Sequence, residues 1–244
     1  VNSSNEMSSQ YSVRGGTYDE NSVYINGVEV YRPQLVSSGQ QEGLSVINPD
    51  MVGAIGFSTG GFGVEYGDKM SSALDITYRE PEAFEGSLSL SLMGGSLTIG
   101  QSKGKFSQLH GIRYKRNASL LSSLESKGEY DPNFFDYQTN MVLKLNKKWK
   151  VSFLGNIAVN NYKFVPVSRE TNFGTSTDAK SFKVYFDGGE KDRFETYFGA
   201  LNLQYQPSRS TSFNLLASGY LTNELVAYDI SGEYWLDWAG TTGE

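Results

Sequence analysis

The order of apolar and polar residues changes character once along the chain, near Glu80-Pro81-Glu82. Beyond that point the period is two. Leu88, Leu90 and Leu92 alternate with Ser87, Ser89 and Ser91. Tyr137, Thr139, Met141, Leu143 and Leu145 share one face of a later strand, opposite Gln138, Asn140 and Lys144. Trp149, Val151, Phe153, Ile157 and Val159 repeat the pattern against Lys150, Ser152, Asn156 and Asn160. Tyr197, Leu201, Leu203 and Tyr205 do so again, opposite Thr196, Asn202 and Gln204. Such alternation predicts strands with one apolar face and one wet face.

Strand length narrows the reading. Segments 134–146, 149–163 and 193–206 run to about 13–15 residues, against about 5–6 for a globular strand and about 9–11 for a tilted transmembrane one. The connections alternate as well: Asn146-Lys147-Lys148 and Pro207-Ser208-Arg209-Ser210 are tight turns, whereas 117–133 and 165–192 read as long polar loops. Short turns on one side and long loops on the other mark outer-membrane barrels. The pattern predicts seven strands: to Met93, to Gln101, from Lys105, from Phe134, from Trp149, from Arg193 and from Thr211. Trp149, Tyr162, Phe164 and Tyr205 fall at strand ends, where rings suit a membrane interface.

Before Glu80 the spacing is irregular. Asn26-Gly27 between Val23–Ile25 and Val28–Tyr31 predicts a hairpin, because both turn residues accept positive φ. A short helix is expected across Gly43 to Met51, ending near Pro49.

Composition removes several classes of function. The 244 residues have a mean hydropathy of −0.41 and no apolar run long enough for a membrane helix. Barrel walls are equally polar overall, so a helical membrane protein is excluded and a barrel is not. Zero Cys removes thiolate chemistry and Cys-based zinc sites, and a single His110, flanked by Leu109, Ile112 and Tyr114, reads as a lumen or core residue. The net charge of −6 and the lack of a basic patch argue against nucleic acid. Gly15-Gly16 and Gly60-Gly61 lack the Lys-Ser/Thr of a phosphate loop. Asp19, Glu20, Glu65 and Asp68 lack EF-hand spacing, so no catalytic residue, metal site or cofactor is expected. The opening Val1-Asn2-Ser3-Ser4 has neither the basic start nor the apolar core of a signal peptide, and the expectation is a fragment.

Six short motifs then stand in order: Ser12-Val13-Arg14-Gly15-Gly16, Asp19-Glu20-Asn21, Val23 to Val30, Asn48-Pro49-Asp50, Gly60-Gly61-Phe62, and Glu65-Tyr66-Gly67-Asp68 with Ser71 to Ile76. Together, over about residues 11–81, they resemble the plug of TonB-dependent outer-membrane receptors. The style is nearest to receptors with a carboxypeptidase-regulatory-like domain ahead of the plug. The resemblance implies an all-β membrane-barrel fragment with a small α+β plug: residues 1–82 the later part of the plug, and 83–244 the first strands of a barrel of about 22 strands. It implies energised uptake of a small hydrophilic ligand (glycan, peptide or metal chelate) through the outer membrane. The implied partners are the TonB-ExbB-ExbD complex, outer-membrane lipids and a surface lipoprotein.

On the same resemblance, Arg14 is expected to latch the plug to barrel glutamates. Thr59 stands where many relatives carry a second basic residue. Tyr18, Asp19, Glu20, Asn21, Tyr31, Arg32, Gln34, Gln40 and Gln41 fall where similar plugs raise ligand-binding loops; the alternative is that they only fill and hydrate the lumen. Two other classes stay open: a soluble or surface β-sandwich that binds carbohydrate or acts as an adhesin, and a carboxylate-dependent hydrolase.

Overall fold

The computed structural model describes residues 11–17, 20–31, 45–67, 69–116, 128–175 and 178–238. It divides into two compact units. The first comprises residues 1–115, 134–160 and 194–223, and the second 116–133, 161–193 and 224–244.

In the first unit a small mixed sheet is built from β1 (Asn21–Ile25), β2 (Val28–Glu29), β3 (Val52–Ser58) and β4 (Ser72–Tyr78), in the order β2-β1-β4-β3. The predicted hairpin is present: Asn26 and Gly27 take φ of 53° and 76° between β1 and β2. Strand β1 pairs parallel with β4, Asn21 opposite Ser72 through Ile25 opposite Ile76. All five residues of β1 are buried, as expected of a strand covered on both faces.

The helix expected up to Pro49 is corrected. Pro49–Met51 form a single 3-10 turn that begins at the proline, where its fixed φ fits the first helical position. Asn48 caps that turn, its Oδ1 accepting from the Asp50 N–H at 3.1 Å. Residues 43 and 44 lie outside the described residues.

After Tyr78 the chain enters a second sheet. Its strands are β5 (Glu85–Ser91), β6 (Gly94–Lys103), β7 (Phe106–Arg116), β8 (Gly128–Tyr130), β9 (Asn133–Lys144), β10 (Trp149–Pro166), β11 (Arg169–Thr175), β12 (Asp178–Ser208) and β13 (Thr211–Trp238). Strands β5, β6, β7, β9, β10, β12 and β13 pair in sequence as a seven-stranded antiparallel meander. The loop expected over 165–192 is a correction. β10 continues to Pro166, and β11 folds back on β12 with Arg169 opposite Val184. Its alternation is hidden because β11 carries polar residues on both faces, Glu170 and Asn172 on one and Arg169 and Thr171 on the other. Within the other expected loop, β8 pairs with β10, and 117–127 lie outside the described residues.

In the first unit the sheet has two unlike faces. Leu109, Arg113, Phe134, Asp136, Gln138, Leu154, Asn156 and Ala200 are buried. Ile99, Ile112, Leu143, Phe153, Ile157 and Leu201 alternate with them and are exposed, with no second sheet packed over them among the described residues. The buried face shares one core with the small sheet: Ile25, Val28, Val30, Met51, Ile76 and Tyr78 pack with Leu109, Leu154 and Ala200.

Two aromatic expectations change. His110 sits on the exposed-face parity, paired with Ile99, because Leu109 and Arg113 on either side turn inward. Its Nδ1 lies 2.9 Å from the Tyr137 hydroxyl. Tyr162 is 3% exposed, so it is an interior ring and not part of a girdle. Trp149 and Tyr205, by contrast, stack at 4.2 Å beside the short turns.

Candidate functional site at the insert–wall contact

Strands β7 and β9 each place one ionised side chain on the buried face. Arg113 and Asp136 are 7% and 3% exposed. Arg113 Nε donates to Asp136 Oδ1 at 2.7 Å and its Nη2 to Oδ2 at 2.9 Å, a bidentate pair. The guanidinium has further donors, and both remaining bonds go to backbone of the insert: Nη1 to the Ile47 carbonyl at 2.9 Å and Nη2 to the Ser45 carbonyl at 2.7 Å. Gln138 Nε2 donates to the Val46 carbonyl between them at 2.6 Å. Three successive carbonyls of the insert are therefore held by the wall.

The same network continues into the small sheet. The Tyr78 hydroxyl donates to Gln138 Oε1 at 2.5 Å and accepts from the Asn48 N–H at 3.2 Å. Burial pushes this phenol up to about 12, so it remains a donor at any physiological pH. Gln138 Nε2 also donates to Asp136 Oδ2 at 2.6 Å, and Asn156 Nδ2 donates to the same oxygen at 3.1 Å. A charge pair this deep needs such partners, since desolvation of both ions offsets much of their attraction.

Three smaller ties lie around it. Asn26 of the hairpin turn donates to Asn140 Oδ1 at 3.1 Å and accepts from the Tyr78 N–H at 2.8 Å. Ser96 Oγ of β6 donates to Asp50 Oδ2 at 2.8 Å. Glu80, where the insert passes into the wall, pairs with Lys144 at 2.8 Å and with Lys150. Burial works to raise the Glu80 carboxyl, but the bonds from the two lysines outweigh it and hold it below the ordinary value. Gly111 of β7 lets the backbones approach: a Cβ there would sit 2.4 Å from Asn48 Nδ2 and 2.8 Å from Met51 Sδ. A cavity of about 30 Å³ beside Asp136 and Tyr78 is far below the roughly 300–1,000 Å³ of a ligand pocket. This contact grips the insert.

Of the residues expected from sequence, the structure describes Arg14, Glu20, Asn21 and Tyr31. Arg14 is exposed in a turn, at φ 53°, with Nη1 close against Gly60. A buried arginine that grips the insert is Arg113, on the wall. Asn21 does not stand at an apex: it is buried in β1, its amide donating to the Tyr11 carbonyl at 2.8 Å and accepting from Ser72 Oγ at 2.6 Å. Glu20 accepts from Ser71 Oγ at 2.6 Å. Tyr31 is 71% exposed. Tyr18, Asp19, Arg32, Gln34, Gln40 and Gln41 lie outside the described residues, as does Asp68. Arg113 and Asp136 were missed, although their parity with Leu109, Gln138 and Asn140 marks them as wet-face residues.

The sheet has one bare apolar face, and its other face shares a core with the small sheet and is tied to it by buried polar bonds, the arrangement of a half-barrel wall around an insert. Residues 1–73 match the family model described as TonB-dependent Receptor Plug Domain. A search of curated protein sequences finds no match. Among solved structures, a double mutant of the Serratia marcescens hemophore receptor HasR, in complex with its hemophore HasA and heme, is 12% identical, with a TM-score of 0.33. The alignment covers 91% of this chain and 43% of that one, so the chain spans less than half of HasR's length. A likeness of that degree carries no argument here. No helix among the described residues is long and apolar enough to cross a membrane, which says nothing of crossing by strands.

Proposed function

We propose that the chain is the later part of the plug (residues 1–82) and first wall strands (83–244) of an outer-membrane receptor that imports a small hydrophilic ligand, driven by the TonB-ExbB-ExbD complex. The observation that carries this reading is the grip of Arg113, Asp136 and Gln138 on the carbonyls of Ser45, Val46 and Ile47. Polar bonds to backbone and a shared apolar core fix the plug against the wall, while the two keep separate sheets. The exposed alternate residues supply a face for lipid, which a soluble sandwich would have covered with a second sheet. Glycans, peptides and metal chelates all fit a polar lumen, and a surface lipoprotein fits as a partner for capture. No reaction is assigned to the chain.

The test is accumulation of labelled oligosaccharide, oligopeptide and ferric-chelate pools by cells carrying the full-length receptor, with and without TonB. Uptake of one pool that disappears without TonB is expected. Equal accumulation in both strains would contradict energised import.

A further inference from the structure

The β11–β12 hairpin of the second unit has two unlike faces. On one, Glu170 stands opposite Lys183 and Asn172 opposite Ser181. Ser181 Oγ donates to Glu170 Oε1 at 2.7 Å, and Lys183 Nζ lies 3.5 Å from Oε2, so that face satisfies its own charges. On the other, Arg169 stands opposite Val184 and Thr171 opposite Phe182. Phe164 and Phe186 close round these four residues to leave a cleft of about 440 Å³. That volume falls within the roughly 300–1,000 Å³ of small-molecule sites.

The charge in this cleft is one-sided. None of the residues lining it is acidic. Arg169 is exposed and has no acidic partner among the described residues. Its chain neighbour Glu170 cannot serve, because strand alternation turns that carboxylate to the opposite face. A guanidinium beside three phenylalanine rings presents a planar donor fork at the edge of an apolar surface, which suits a carboxylate borne on a flat apolar body.

We propose that this cleft binds an aromatic carboxylate, its ring system against Phe164, Phe182 and Phe186 and its carboxylate on Arg169, with the Thr171 hydroxyl as a second donor. The proposal rests on the receptor reading above and narrows its ligand to an amphiphilic organic anion. The concave form and modest volume favour a small molecule over a protein surface, and a cleft covered by another segment of the chain itself would bind nothing.

The experiment is equilibrium dialysis of the full-length receptor in amphipol with 2-naphthoate and with 2-naphthamide, which share a body and differ in charge. Naphthoate is expected to bind about tenfold more tightly, as a charge-assisted bond exceeds a neutral one. Arg169→Gln is expected to erase the difference, Phe182→Ala to weaken both compounds, and Lys183→Gln on the opposite face to change neither. Equal binding of the two compounds, a difference that survives Arg169→Gln, or no binding of either overturns the proposal. Because the readout is binding, loss of energised uptake with the charge discrimination intact sinks the importer reading alone.

Discussion

Arg113 and Asp136 meet through two parallel hydrogen bonds of 2.7 and 2.9 Å on neighbouring wall strands, and the same guanidinium reaches the plug backbone at Ser45 and Ile47. One side chain thus joins wall to wall and wall to plug. Removing either ion leaves the other buried without a counter-charge, whereas removing both leaves no lone charge and costs only the neutral partners, the Ser45 and Ile47 carbonyls and the Asn156 amide, their bonds. Arg113→Leu is expected to destabilise the folded receptor by about 3–5 kcal/mol, and Arg113→Leu with Asp136→Leu by clearly less. Urea unfolding in detergent, read as a double-mutant cycle, checks this; a double variant as unstable as the single one contradicts it.

Gly111 tests the closeness of plug and wall. A methyl group there would meet Asn48 Nδ2 and Met51 Sδ well inside contact distance. Gly111→Ala is expected to cost about 1–3 kcal/mol by overpacking, seen as a lowered Tm. An unchanged Tm would mean that Met51 has room to move aside.

The Glu80 carboxyl, held below its ordinary value of 4.5 by Lys144 and Lys150, gives acid sensitivity to the plug–wall junction. A carboxyl depressed in the fold binds fewer protons than it does unfolded. Its contribution is complete above the unfolded value and is lost as pH falls through the folded one. Limited proteolysis is expected to show the plug loosening below about pH 4.5. Glu80→Gln should show a weaker dependence over that window, and an identical acid profile would rule the junction out as its source.

Tyr78 predicts the opposite end of the scale. With its phenol pushed up to about 12, it binds its proton more tightly folded than unfolded, so its contribution is full below pH 10 and is lost as pH rises between 10 and 12. The difference in tyrosinate absorbance between the native protein and Tyr78→Phe should titrate near pH 12, well above the ordinary phenol value of about 10. Tyr78→Phe also leaves Gln138 Oε1 without its donor, at a cost of about 1–3 kcal/mol.

Much of this fold could be read from the alternation alone. The starts at Trp149 and Thr211 and the turn at Asn26-Gly27 match the structure, because one-sided burial imposes a period of two and positive φ needs particular residues. The β11–β12 hairpin was illegible for the reverse reason: β11 is polar on both faces, with Glu170 and Asn172 on one and Arg169 and Thr171 on the other, so it reads as loop. The grip was legible only in half. Gln138 and Asn140 stand out as wet-face residues, but nothing in their spacing says that Arg113, on another strand, lies within a hydrogen bond of Asp136 and of Ile47. Such convergence belongs to the register between strands, which the order of residues along one strand does not contain.

The outward face decides whether the sheet is a barrel wall. The sequence contains no cysteine, so single cysteines carrying nitroxide labels can be placed without background at Ile99, Ile112, Leu143, Phe153 and Ile157, and at Ser107, Val142 and Ala158 of the plug-facing parity. In the full-length receptor in bilayers, the first set should collide with dissolved oxygen and be shielded from a water-soluble nickel chelate, and the second set should be shielded from both. Free access of the nickel chelate to Ile112 and Ile157 would mean that water, and not hydrocarbon, lies against these strands.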